Sequence, residues 1–218
     1  DTFRFDGVHI SADNDIVQKE NTKISSAGRV DLSAAGAIDA TVEAVDLISS
    51  TGGKTNLKTL GTARLGDISS TKLTVNGENI LVDGKVNSTS TMDITATDKV
   101  TIRPNTALDA DHRTYGVLEA KGDVSINAEN GILATEQRPE GAMITSTAGV
   151  IRLNTKGDIK ANGSNNKITV SSNGFFNANG NDVNLHSVDS FAKVGLINAA
   201  NDANISGDGN IAVDYIEA

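Results

Sequence analysis

The 218-residue chain has no cysteine, no tryptophan and only two prolines, Pro104 and Pro139. Without cysteine there is neither a disulfide nor a thiolate metal site. A chain exported unfolded gains from that absence, because a premature disulfide obstructs passage. Aromatic residues make up 3% of the chain, two Tyr and five Phe, so a wide core leaning on aromatic area is excluded. The core has to come from Val, Ile, Leu, Ala and Thr, in small and uniform layers. No run of about 18 apolar residues occurs, so no helical membrane insertion is expected. Clustered basic charge is missing too. The net charge of −9 disfavours nucleic acid, whose phosphates call for Lys and Arg, and anionic membrane surfaces. It also keeps an elongated, strand-rich object soluble and discourages pairing of exposed edges. The start, Asp1-Thr2-Phe3-Arg4, has no initiator Met and no signal-peptide pattern, so a fragment or processed product is expected.

What is present is a short recurrent unit: a turn residue, Gly, Asn or Asp, followed by apolar-x-apolar. Gly28-Arg29-Val30-Asp31-Leu32 and Asp98-Lys99-Val100-Thr101-Ile102 show it, as do Gly122 to Ile126, Gly149 to Leu153, Asn166 to Val170, Asn181 to Leu185 and Gly209 to Val213. Each unit predicts a short strand with one face in and one out. Weaker units fall between them at Ile132-Leu133, Phe175-Phe176 and Val194 to Leu196. Ile38 to Ile48 fits a helix face or an alternating strand; its β-branched residues and β surroundings favour strand. Such recurrence predicts a solenoid. The units are too short for propeller blades, and leucine-rich and calcium-binding nonapeptide patterns are absent. The expected fold is therefore all-β: one right-handed parallel β-helix spanning residues 1–218, with about 20 residues per coil. About 11 coils at ~4.8 Å make a rod of roughly 50 Å. Corners are expected to use Gly and Asn for their tolerance of positive φ. Two stretches break the rhythm and predict projecting loops, Arg103 to Tyr115 (103–115, with Pro104) and Gln137 to Gly141 (137–141, with Pro139). Loops on a rigid scaffold are where recognition concentrates.

Gly28-Arg29-Val30-Asp31-Leu32-Ser33-Ala34-Ala35-Gly36-Ala37-Ile38-Asp39-Ala40 resembles the repeats of filamentous haemagglutinin-like exoproteins, as do Met92 to Ala96 and Gly122 to Ala128. These are the large partners of two-partner secretion systems, which include adhesins and contact-dependent inhibition proteins. The resemblance covers most of the chain through degenerate Gly-x-Val-x-Leu-x-Ala repeats. It implies a secreted protein at the bacterial cell surface. Its partners would be an outer-membrane transporter during secretion and a glycan or protein receptor on a host or neighbouring cell. The Asn-Pro-Asn motifs of that family's secretion domain and the Val-Glu-Asn-Asn boundary before its toxins are both missing, which implies an interior shaft segment. The rival reading is a phage tail spike or fibre, a β-helix used for receptor binding or membrane puncture. Such spikes are obligate trimers, whereas a monomer is expected here.

Catalytic signatures are sparse. The Gly-His-Gly and Arg-Ile-Lys signatures of β-helical pectin-degrading enzymes are missing, and no Gly-x-Ser-x-Gly elbow anchors a hydrolase triad. Gly52-Gly53-Lys54-Thr55 superficially resembles a phosphate-binding loop, but Ile48 stands where the motif needs Gly; a turn is expected. Asp109, Asp111 and His112 form the one dense ionisable cluster, and a solvated loop is the better reading of it. His9 and His186 are too distant in sequence to complete a three-His site. Lys121-Gly122-Asp123 and Lys156-Gly157-Asp158 could mimic integrin ligands, yet a turn leading into a strand needs Gly there anyway. Asn-x-Ser/Thr sequons begin at Asn87, Asn162 and Asn204. No enzyme activity, cofactor or metal is expected. The candidate partner-binding loop comprises Arg103, Asp109, Asp111, His112, Arg113 and Tyr115.

Overall fold

The structure, a computed structural model, describes residues 7–19, 22–40, 47–104, 115–135, 141–162 and 166–218. The first coil holds β1 (Gly7–Ala12), β2 (Ile16–Val17) and β3 (Ile24–Ser26). The second holds β4 (Arg29–Ala34), β5 (Ile38–Ala40) and the start of β6 (Leu47–Thr59). The chain continues with β7 (Thr62–Leu65), β8 (Asp67–Gly77), β9 (Asn79–Val82), β10 (Lys85–Ser88), β11 (Met92–Ala96), β12 (Lys99–Ile102) and β13 (Val117–Ala120). Next come β14 (Val124–Ala128), β15 (Gly131–Ala134), β16 (Ile144–Ser146), β17 (Ile151–Thr155), β18 (Asp158–Ala161) and β19 (Ile168–Ser172). The last three are β20 (Phe176–Ser187), β21 (Phe191–Gly207) and β22 (Asn210–Glu217). Strand accounts for 72% of the chain, with no helix among the described residues.

Every pairing between these strands is parallel, and each strand pairs with its counterpart one coil on. In the first ladder Val30 lies beside Thr55, then Leu73, Met92, Val124, Ile151, Phe176 and Val194. Ile38, Ala63, Ile80, Val100, Ile132, Ile159 and Val183 form the second column. Ile24, Ile48, Ile68, Val86, Leu118, Ile144 and Val170 form the third. The strands alternate buried and outward residues, so the three columns meet in one contiguous apolar core. β8 runs through a corner and belongs to two ladders, and β20 belongs to all three. As a result nine strands, β8, β10, β13, β16, β19, β20, β17, β14 and β11, close into a ring of parallel pairings. The expected all-β, parallel, solenoid-like arrangement is thus found. The units read from the sequence fall on β4, β12, β14, β17, β19, β20 and β22. Of Ile38 to Ile48, both ends are strand, and residues 41–46 lie outside the described residues.

Coil length is less regular than the expected value. The step between counterparts is 18 or 19 residues from Thr55 to Leu73 to Met92 and again from Phe176 to Val194 to Val213. It stretches to 32 between Met92 and Val124. One corner absorbs the variation. From the first column to the second the chain takes 7 or 8 residues, as from Val30 to Ile38 and Leu73 to Ile80. From the second to the third it takes 5 between Ala63 and Ile68 but 18 between Val100 and Leu118. Both stretches that break the sequence rhythm, 103–115 and 137–141, attach at this corner, one coil apart.

The corner between third and first strands is short and built differently. Ser50, Ser70, Ser88, Ala120, Ser146 and Ser172 stack in register, all buried. Ser70 Oγ donates to the Lys72 carbonyl (2.6 Å), Ser146 Oγ to Gly122 (2.7 Å) and Ser172 Oγ to Gly149 (3.2 Å). Ser50 Oγ donates to the Gly28 carbonyl, and Ser88 Oγ has the Thr71 and Thr91 carbonyls both at 2.9 Å. Each hydroxyl gives a carbonyl at the turn a hydrogen-bond donor. Glycine here serves close approach and not the expected positive φ. A Cβ on Gly149 would meet the Gly122 carbonyl carbon at 2.4 Å, and one on Gly174 the Gly149 oxygen at 2.4 Å. Among the described non-glycine residues only Asn166 has positive φ, at 51°.

Ile126 is fully buried between Ile94 and Leu153. Ile126→Ala is expected to cost about 2–5 kcal/mol in urea unfolding. Its outward neighbour gives the control: Ser125→Ala should stay within about 0.5 kcal/mol.

Candidate functional site

Of the six residues in the expected partner-binding loop, Asp109, Asp111, His112 and Arg113 lie outside the described residues. So does most of 137–141. Arg103 and Tyr115 mark where the first of these loops leaves and rejoins the wall. Pro104 and Tyr115 form an antiparallel bridge, and the Gly116 N–H donates to the Arg103 carbonyl at 3.0 Å.

Arg103 is also the top of a charge column. The Asp83 side chain is 2% exposed, and Arg103 grips both its oxygens, Nε to Oδ1 at 2.5 Å and Nη2 to Oδ2 at 3.0 Å. From the coil below, Arg64 reaches Asp83 at 3.4 Å and Asp39 at 3.0 Å. Charges alternate along the axis, Asp39, Arg64, Asp83, Arg103. The hydrogen bonds that Arg103 donates to Asp83 hold its guanidinium above its ordinary pKa, with added field from Asp83 and Asp39. A bidentate guanidinium already committed to a buried carboxylate is poorly placed to grip a ligand. This column fastens the variable corner.

The other motifs are absorbed in the same way. Gly52 to Thr55 runs inside β6, where a Cβ on Gly53 would meet the Gly28 oxygen at 2.3 Å. Both Lys-Gly-Asp tripeptides lead into strands. Arg152 pairs with Asp123 at 2.7 Å, Lys160 with Asp158 at 2.6 Å, and Asn181 donates to Asp158 at 2.8 Å. His9 pairs with Asp31 at 2.7 Å. No cluster of metal-binding residues occurs among the described residues.

Two further arrangements were not anticipated. His186 Nδ1 lies 2.9 Å from Ser206 Oγ and its Nε2 lies 3.1 Å from Asp208 Oδ1, while Lys167 Nζ donates to Ser206 Oγ at 2.9 Å. The order is that of nucleophile, base and orienting acid. These residues sit on adjacent rungs of one wall, with His186 directly beside Ser206 in register. Ladder packing accounts for the contacts. The second is a shallow trough of about 350 Å³ over three coils, between Asn87, Glu119 and Thr145 on one side and Thr89, Lys121 and Thr147 on the other. Glu119 is held by Lys85 at 2.8 Å. The outward residues of the last coils, Phe175, Phe191, Leu196 and Tyr215, form the remaining candidate surface.

No family model, curated protein or solved structure matches the chain.

Asp83→Ala is expected to lower stability by about 2–3 kcal/mol, because it strands the Arg103 guanidinium, while Arg64 keeps Asp39. Asp93→Ala, which removes an exposed pair with Lys72 at 3.6 Å, should change it by less than about 0.5 kcal/mol. Denaturant curves check both. A pH dependence follows from Asp123 and Asp158, held below their ordinary value of 3.8 by Arg152 and the Val150 N–H and by Lys160 and Asn181 respectively. Depressed folded values make their stabilisation complete above 3.8 and lost as pH falls through the lower folded range. A double variant with Asp123→Asn and Asp158→Asn should be less stable than the native chain near neutrality. The two should converge in acid well below 3.8.

Proposed function

We propose that this chain is an interior shaft segment of a large secreted exoprotein at the bacterial surface, wound as a right-handed parallel β-helix. It works as a stiff, non-enzymatic and monomeric spacer that holds recognition elements away from the cell. Its outward faces meet a glycan or protein receptor on a host or neighbouring cell. The observation that carries this reading is the unbroken stack itself. The inner columns pass through every coil, so stability is a sum of nearest-neighbour terms and the rod resists bending. The right hand is supported by the near-universal preference for right-handed crossovers between parallel strands. The net charge of −9 is compatible with a spacer. Export would pass through an outer-membrane transporter.

The flanking coding sequence tests the proposal. A parent of very great length beside a transporter partner is expected. A tail-assembly neighbourhood, together with a detergent-resistant trimer in light scattering, would replace it with the phage-spike reading.

A further inference from the structure

Aromatic side chains are few here, and their distribution is uneven. Phe175, Phe191 and Tyr215 are 41%, 52% and 52% exposed, and Leu196 is 53% exposed. All belong to the last coils. Strand alternation sets the exposure of Phe175, Phe191 and Leu196, whose neighbours Phe176, Ala192 and Ile197 are buried. Tyr215 stacks on Leu196 in register, so all four lie on the outward side of the first ladder. Exposed apolar clusters in a soluble wall mark contact surfaces.

A column of amides runs beside them. Asn127, Asn154, Asn179 and Asn198 occupy consecutive rungs. Asn179 Nδ2 donates to Asn154 Oδ1 at 2.8 Å, and Asn154 Nδ2 to Asn127 Oδ1 at 3.4 Å. A primary amide has two N–H donors and a carbonyl with two acceptor sites. The column bonds use one donor of Asn154 and one of Asn179, leaving donors and acceptors turned to solvent at the rung spacing of about 4.8 Å. Charges on this face are few: Arg152 holds Asp123, Lys193 reaches the Asn173 carbonyl at 3.5 Å, and of the β22 carboxylates, Asp214 and Glu217, the latter stands beside Asn198 and accepts from Tyr215 Oη at 3.4 Å.

We propose that this face, from β17 to β22, binds a neutral, hydroxyl-rich polysaccharide lying along the stacking axis. The C–H faces of its sugar rings pack on Phe175, Leu196 and Tyr215. Its hydroxyls, each both donor and acceptor, complete the spare hydrogen-bonding sites of the asparagine column. One sugar ring is comparable in length to one rung. An extended peptide advances about 3.4 Å per residue and falls out of step with the column. The wall is fixed before binding, so little ordering cost opposes it. This reading deepens the shaft proposal and rests on it only in turning the face outward.

Affinity electrophoresis of the whole chain in gels containing dextran, xyloglucan, galactomannan or laminarin tests it, with heparin and pectate as charged controls. Retardation is expected with at least one neutral polymer. It should weaken about fivefold or more in a Phe175→Ala, Tyr215→Ala double variant and in an Asn154→Ala, Asn179→Ala double variant. Circular dichroism and light scattering confirm that each variant is folded and keeps its mass. No retardation by any neutral polymer, retardation by the charged controls alone, or unchanged retardation of folded variants would overturn the proposal. A folded monomer that fails to bind leaves the shaft reading standing, whereas a trimer from a tail-assembly locus removes the shaft and leaves this face to be judged on its own binding.

Discussion

Parallel, in-register stacking is the constraint from which the rest of the structure follows. Each residue sits over its own counterpart one coil away, at the spacing of adjacent strands. A column is therefore stable only if its members are compatible with one another. Apolar columns merge into one core, as Ile94, Ile126 and Leu153 do. Buried hydroxyls are tolerated because each of Ser50, Ser70, Ser88, Ser146 and Ser172 finds a turn carbonyl. Charges are tolerated where sign alternates, as from Asp39 to Arg103. Like charges at this spacing repel, and where two carboxylates do stack, Asp182 beside Asp202, the Asn201 amide donates to both.

The same constraint explains where the fold accepts change. At the corner between third and first strands, glycine backbones approach closely and serine hydroxyls close the turn, so an extra residue there would displace both. The corner between second and third strands also has close glycine approaches, as where a Cβ on Gly84 would meet the Gly66 carbonyl carbon at 2.6 Å, but its length varies from coil to coil. Extra residues leave the wall there without shifting register on either side, as the resumption at Leu118 beside Val86 shows. A long insertion adds little closure entropy when its ends are already held together, and the Pro104–Tyr115 bridge holds them.

Much of this architecture was legible in the amino-acid order. Clipped apolar-x-apolar units such as Val100-Thr101-Ile102 carry the period of a strand, and their recurrence carries the solenoid. Reading by apolar pattern alone passed over the serine column. Yet Ile48-Ser49-Ser50, Ile68-Ser69-Ser70, Ile144-Thr145-Ser146 and Val170-Ser171-Ser172 repeat a signal of their own: a β-branched residue, then a polar one, then an inward serine. The charge column was illegible for another reason. Asp83 and Arg103 are 20 residues apart, and only the register of their particular coils shows that they meet. Glycine was expected at corners for its positive φ, which holds at Gly7, Gly131 and Gly141; at the third-to-first corner the cause is instead crowding from the neighbouring coil, which leaves no local trace. The asparagine column was visible only as enrichment, since variable coil lengths hide its alignment.

Function in such a wall is confined to the outward columns. The inward ones are fixed by stacking, so their composition says little about ligands. Outward residues of an inert wall need only keep it soluble, and short polar side chains such as Ser11, Ser33, Thr74 and Thr95 do so along the first coils. Large apolar groups on the same side oppose solubility and stabilise nothing in the core. Phe175, Leu196 and Tyr215 are thus departures that neither register nor packing demands. The amides beside them hold one another in line through the same parallel stacking that builds the core, so their spare donors and acceptors keep the rung spacing. A stiff wall that fixes polar groups at one interval, with rings exposed alongside, is arranged for a ligand that repeats at a similar interval.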